Sequence, residues 1–248
     1  MKNLVIQYYI DLNKYASEQK KSPIPNEQSY IEKYSEHSFK KYCEKYGHSF
    51  LRVTEPKINY SHPTWERMDL WLDESWFDEY DQICYVDTDV FALPWAPDIF
   101  SYCDLSCFNK ASYWKCDKAF RQKKHLSDKV FLSSKASPER WHECCFQAGV
   151  FVLTKESRDA SFECMKDYKN PEIPDDCVMM RYALSKSDAK INTIPHEFDV
   201  KWHPGLAYPQ GTANKDLKDL YFLHAFGSNK RNNPKYYMST LEKIYGKL

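Results

Sequence analysis

Glycine is scarce, with 6 in 248 residues, so a glycine beside a motif is informative: it marks a positive φ or a close approach to the backbone. Long apolar runs are absent. Nothing approaches the ~20 consecutive apolar residues that span a bilayer, so no transmembrane segment is expected. The opening MKNLVIQYYIDLNK has too short an apolar run for a signal peptide and no small-residue cleavage site. Nine cysteines are scattered without a C-x-x-C pair. Cys144 and Cys145 are adjacent, and Cys103, Cys107 and Cys116 match no common zinc module. Reduced thiols and a cytoplasmic setting are the expectation. Charge of one sign is also missing: 35 Lys+Arg balance 35 Asp+Glu, which argues against a nucleic-acid or anionic-membrane partner. With neither a repeat nor a linker, the chain is expected to form a single domain over 1–248.

Aromatics are plentiful at 16%, enough for a core although aliphatics are sparse, and more than a disordered chain carries. Leu4–Ile10 reads as a buried strand. Ser29–Tyr46 has a helical stripe of Ile31, Tyr34, Ser38, Phe39, Tyr42, Cys43 and Tyr46, stopped by Gly47. His48–Thr54 reads as a second strand, so the chain opens with a crossover unit. Thr64–Tyr80 is predicted helical, with Trp65, Met68, Leu72 and Trp76 on one face. Ile83–Val86 is a buried strand, and Asp104–Phe108 another. This alternation predicts an open, mostly parallel α/β sheet. Lys110–Arg140 reads as a long polar excursion. Cys144–Leu153 resumes as a strand with Gly149 inside it, a hint that something approaches the backbone there. Helices at Glu156–Tyr168, Asp175–Leu184 and Pro234–Tyr245 and strands at Ile191–Pro195 and Tyr221–Phe226 complete the reading.

The chain is organised around Asp81–Pro97, DQICYVDTDVFALPWAP. Asp87 and Asp89, with Thr88 between them, stand where a buried strand leaves the core. Carboxylates there need a counter-charge or hydrogen bonds, and a divalent cation able to hold a phosphate supplies one. In open α/β sheets ligands gather at this carboxyl end of the strands.

Four segments in order resemble the GT-A fold, nucleotide-sugar-dependent glycosyltransferases, and their glycogenin-like members in particular. Tyr80-Asp81 through Tyr85-Val86-Asp87-Thr88-Asp89 resembles the DxD segment. Gln147-Ala148-Gly149-Val150-Phe151 resembles the NAGVF strand, with Gln in place of Asn. Asp175-Asp176 resembles the acidic pair downstream, and His224 to Lys230 the HxxGxxK segment. The resemblance implies a Rossmann-like GT-A sheet, with 1–110 as a nucleotide-binding half and 141–248 as an acceptor and sugar half. It implies Mn²⁺ (or Mg²⁺) on Asp87, Asp89 and His224, a mixed oxygen and nitrogen set that suits Mn²⁺. The donor would be a UDP-sugar and the acceptor a glycan or small hydroxyl compound, with retention of configuration. Gln7, Tyr8 and Tyr9 would line the base pocket. Arg67, Asp87, Thr88, Gly227 and Lys230 would reach the nucleotide, and Gln147, Asp175 and Asp176 would face the sugar and acceptor. In an inverting enzyme, Asp175 or Asp176 would be the candidate general base.

Two rival classes fit part of the same pattern. DTDVF also matches the D-x-D-x-[TV] signature of haloacid-dehalogenase-like phosphatases, in which the first Asp attacks phosphorus beside Mg²⁺. That motif normally sits on the first strand of its domain, whereas here a strand–helix–strand unit precedes it. A non-catalytic nucleotide-sugar-binding relative is the other alternative.

Overall fold

The computed structural model describes residues 1–11, 26–59, 62–111, 134–169, 173, 175–202, 217–225 and 234–248. Strands β1 (Asn3–Tyr8) and β2 (Ser49–Val53) flank helix α1 (Asn26–Tyr46). A 3-10 turn (Pro63–Met68) and two single-turn helices, α2 (Asp69–Leu72) and α3 (Trp76–Glu79), lead into β3 (Gln82–Val86) and the short β4 (Val90–Ala92). Then come β5 (Cys107–Ala111), α4 (Pro138–Glu143), β6 (Val150–Thr154), α5 (Lys155–Met165), α6 (Asp176–Lys186) and β7 (Lys190–Ile194). The two-residue β8 (Val200–Lys201), β9 (Phe222–His224) and α7 (Pro234–Tyr245) complete the described strands and α-helices, and short 3-10 turns lie at Ile99–Tyr102, His196–Phe198 and Leu217–Asp219.

Six strands form the main sheet in the order β2-β1-β3-β6-β5-β7. β1 runs parallel to both β2 and β3, and β5 parallel to β7. β6 is antiparallel to β3 and β5, the exception in a mostly parallel sheet. β1 and β3 are buried throughout, as strands covered on both faces must be. One face packs Trp71, Tyr85, Phe108 and Phe151, and the other packs Phe39, Val86, Val152 and Phe222. A second sheet, β4-β9-β8, has its own cluster of Ile31, Tyr34, Phe91, Trp202 and Tyr237. Burying one such aromatic side chain stabilises the fold by about 1.5–3 kcal/mol.

The α1 stripe is buried as its spacing requires, apart from half-buried Tyr46. The helix stops at Gly47, whose φ is +73°. The His48 amide then reaches back to the Cys43 carbonyl at 2.9 Å, the closing bond of a Schellman turn. Ser35 and Ser38 tie the helix to the strand after the DxD loop: the Ser35 hydroxyl donates to the Val90 carbonyl (2.5 Å), and Ser38 Oγ accepts from the Ala92 amide (3.1 Å).

Three sequence expectations need correction. The helix expected over Thr64–Tyr80 is broken, because Asp73 is extended (φ −99°, ψ 102°) and its carboxylate accepts from the Ser75 amide and hydroxyl. This local bonding competes with helix propagation. The strand placed at Asp104–Phe108 begins at Cys107, since Asp104 makes the same kind of turn with Ser106. Cys144–Gly149 is not strand: α4 ends at Glu143 and β6 begins at Val150. Most of the Lys110–Arg140 excursion lies outside the described residues. Cys145 departs from the all-thiol expectation, being disulfide-bonded, and seven other cysteines are free.

Candidate active site

The site forms where β3 ends. The order of strands changes direction between β1 and β3, and in open α/β sheets ligands gather at such a point, outside the carboxyl ends of the strands. Asp87 follows the last residue of β3, and its amide continues the ladder by donating to the Gly149 carbonyl at 2.8 Å. A tight turn (Val90 N to Asp87 O, 3.1 Å) then reverses the chain through Thr88 and Asp89 into β4. β4 pairs antiparallel with β9, placing Val90 opposite His224, and the Ala225 amide donates to the Asp89 carbonyl at 2.8 Å. Residues far apart in sequence are thus brought together by the small sheet.

Three of the sequence-predicted groups converge here. His224 Nε2 lies 3.3 Å from Asp89 Oδ1 and 3.8 Å from Asp87 Oδ2. One ligand atom from each of Asp87, Asp89 and His224 lies within 4.8 Å of the others. His224 is buried, with 2% exposure. Burial pulls its pKa down, but the carboxylates of Asp89 and Asp199 outweigh burial and hold it well above that of a free histidine. Gly149 lies directly beneath the ring. A Cβ there would meet His224 Cε1 at 2.3 Å, His224 Nδ1 at 2.7 Å and Asp87 Oδ2 at 3.2 Å.

A buried guanidinium braces the other side. Arg67 Nη2 lies 2.9 Å from Asp176 Oδ2 and 3.6 Å from Asp87 Oδ1. Its Nε donates to the Thr64 carbonyl at 2.8 Å and its Nη1 to the Ala148 carbonyl. The guanidinium also stacks over Tyr85, 4.7 Å from the ring centre. The segment carrying Arg67 is itself pinned by Glu66, whose carboxylate accepts from the amides of Lys57 (2.6 Å), Ile58 (2.9 Å) and Asn59 (2.8 Å). Burial raises the Asp176 pKa although Arg67 opposes it. Asp176 Oδ2, despite the ion pair, has no aligned hydrogen-bond donor, and neither does the buried Gln147 Nε2 have an acceptor. Buried polar atoms are ordinarily satisfied, so each of these calls for a partner.

The remaining predicted residues divide. Gln7 is fully buried and its Nε2 donates to Ser35 Oγ (2.8 Å) and to the Asp87 carbonyl (3.3 Å), so it supports the DxD turn from below. Tyr8 points to the opposite face, where its hydroxyl donates to Asp69 at 2.9 Å. Tyr9 is half-buried, with Arg52 stacked 4.2 Å from its ring centre. Thr88 is half-buried in the DxD turn. Asp175 caps α6, accepting from the amides of Cys177 and Val178. Gly227 and Lys230 lie outside the described residues.

Sequence reasoning missed Tyr85 and Asp199. The Tyr85 hydroxyl donates to Asp87 Oδ1 at 2.5 Å. Its position two residues before Asp87, on the same strand face, was the available signal. Asp199 Oδ1 lies 2.9 Å from His224 Nδ1, and no local pattern announces it.

The donor set fits a divalent cation. Asp87, Asp89 and His224 present oxygen and nitrogen donors within 4.8 Å of one another, the kinds of atom that Mn²⁺ or Mg²⁺ accept, and the carboxylates of Asp176 and Asp199 stand beside them.

No known protein-family profile and no curated protein matches the sequence. Solved structures do share its fold. One is a glycosyltransferase involved in glycosylation of the major capsid of PBCV-1, with TM-score 0.58 and 10% identity over 96% of this chain and all (100%) of that one. The bifunctional glycosyltransferase WbbM aligns with TM-score 0.57 and 12% identity over 98% of this chain and 50% of its own. GlyE of Streptococcus pneumoniae TIGR4 aligns with TM-score 0.51 and 12% identity, over 97% of this chain and 60% of that one. The chain has the GT-A fold of these glycosyltransferases. Among the described residues no helix is long and apolar enough to cross a membrane.

Proposed function

We propose that the protein is a divalent-metal-dependent glycosyltransferase that moves a sugar from a UDP-sugar to a hydroxyl of a glycan or small acceptor, with retention. The observation that carries this reading is the convergence of Asp87, Asp89 and His224 at the exit of β3. These residues would hold Mn²⁺ or Mg²⁺. When bound, the ion would neutralise charge developing on the diphosphate leaving group. Arg67 keeps Asp87 and Asp176 fixed, Tyr85 orients Asp87, and Gln7 holds the turn that presents Asp89. Tyr9, which follows β1 and has Arg52 stacked on its ring, would stack on the base. Gln147 would take a sugar hydroxyl with its unpaired Nε2, and Asp176 another with the Oδ2 that also meets Arg67.

Retention follows the glycogenin-like resemblance. Asp175, engaged as a helix cap, is the weaker candidate base should the enzyme invert. A cytoplasmic setting, a nucleotide-binding half over 1–110 and an acceptor half over 141–248 belong to the same proposal. The phosphatase reading loses its support, because its motif would stand on the third strand of a GT-A fold. Incubation with a panel of UDP-sugars and Mn²⁺, reading released UDP, tests the proposal. Metal-dependent UDP release that Asp89→Ala removes is the expected result. Phosphate release from simple phosphomonoesters, or UDP-sugar binding without turnover, would replace it with one of the rivals.

A further inference from the structure

One buried carboxylate outside the ligand set governs how that set is presented. Asp199 ends the 3-10 turn His196–Phe198, where its amide donates to the His196 carbonyl at 3.0 Å. It is 8% exposed. The backbone on both sides of the Asp199–His224 contact is fixed: β8 runs parallel to β9 with Lys201 opposite His224, and the Trp202 amide donates to the His224 carbonyl at 2.8 Å. The Asp199 carboxylate therefore stands at a set distance, 2.9 Å, from His224 Nδ1. The other ring nitrogen faces Asp89 and Asp87.

We propose that Asp199 is the positioning residue for His224, accepting the Nδ1 proton so that Nε2 faces Asp87 and Asp89 and offers its lone pair there once a cation takes the place of the Nε2 proton. An imidazole offers a lone pair only from its unprotonated nitrogen, and the hydrogen bond made by the other nitrogen decides which one that is. Without Asp199, the ring loses the partner that selects this tautomer and resists rotation about its own bonds. Gly149 beneath the ring and Asp199 behind it together leave His224 one orientation. This inference rests on the metal-dependent reading above.

The test is a double-mutant cycle on the full chain, with Mn²⁺ affinity in saturating UDP read from the free-ion electron paramagnetic resonance signal. Asp199→Ala should weaken Mn²⁺ binding about 10–100-fold. Asp199→Asn keeps an acceptor oxygen but loses the charge, and should fall near the low end, about tenfold. Both losses should vanish in a His224→Ala background, because Asp199 acts through that ring. Equal weakening in the two backgrounds, or none in either variant, overturns the proposal. Should Asp199→Ala fail to fold, Asp199→Asn is read by the same rule. A wild-type protein that binds no Mn²⁺ refutes the metal-dependent function itself, whereas wild-type binding untouched by both substitutions refutes only the role of Asp199.

Discussion

Gly149→Ala concentrates the logic of the site in one methyl group. Its Cβ would stand 2.3 Å from His224 Cε1 and 2.7 Å from Nδ1. Carbon atoms in contact settle at about 3.5–4.0 Å, so the ring must move by at least about 1 Å. It has nowhere easy to go, being buried and held by Asp199 on one side and Asp89 on the other. Asp87, 3.2 Å from the new atom, is pressed as well. Overpacking of this kind costs about 1–3 kcal/mol. For a domain of this size that lowers Tm by roughly 2–4 °C per kcal/mol, a moderate loss that leaves the protein folded. The functional loss should be much larger, because a ~1 Å displacement of a catalytic group costs on the order of a hundredfold. Thermal melts paired with metal-dependent UDP release separate the two effects. A folded Gly149→Ala protein with wild-type Mn²⁺ affinity and turnover would refute the packing argument and, with it, the placement of His224 in the site.

Three further outcomes are expected. Asp89→Ala should lower metal-dependent turnover about a hundredfold or more, the scale of losing several kcal/mol of charge stabilisation, while the melting curve stays cooperative; unchanged turnover removes the metal assignment. Arg67→Ala strands Asp176 and Asp87 without their buried guanidinium. Breaking such a pair costs about 3–5 kcal/mol, a fall in Tm on the order of 10 °C, and a melt within a degree or two of wild type would contradict the clamp. In metal-free protein the raised His224 pKa contributes stability that is fully present below about pH 6.5 and lost as pH rises through the folded-state value. Melts in chelator should therefore show the gap between wild type and His224→Asn narrowing with rising pH, whereas added Mn²⁺ should protect more as pH rises, since the ligand must be deprotonated. A gap that widens with pH in chelator reverses the sign and refutes the assignment.

What was legible in the sequence follows from how local the signal is. The α1 stripe and its Gly47 stop, the buried run of β3 and the acids at its exit are written within a few residues of each other, and the structure places them so. Gly149 was legible as a close approach, though not what approaches. Failures came where short polar side chains compete with periodicity. Asp73 and Asp104 each bond the residue two ahead and end the expected helix or shift the expected strand. Asp199 was illegible for a different reason: its role exists only because the two-residue strand β8 lies against β9. No period reveals so short a strand, and no local motif reveals a partner 25 positions away.

The small sheet has a physical consequence for the whole molecule. β4 carries Asp89 out of the DxD turn and β9 carries His224, so their pairing forces acids and imidazole together. Asp87, Asp176 and Asp199 crowd the same volume. Like charges held this closely oppose folding unless something neutralises them, and among the described residues the Arg67 guanidinium and the His224 imidazole stand against them. Hydrophobic burial beneath β4 and β9, around Phe91, Leu223 and Trp202, must offset that repulsion in the metal-free state. On the metal-dependent reading, a cation entering between these residues would remove the repulsion and tie β3, β4 and β9 to one centre. On that reading metal binding and the rigidity of this corner would be coupled, and a bound ion should raise the stability of the chain by mass action.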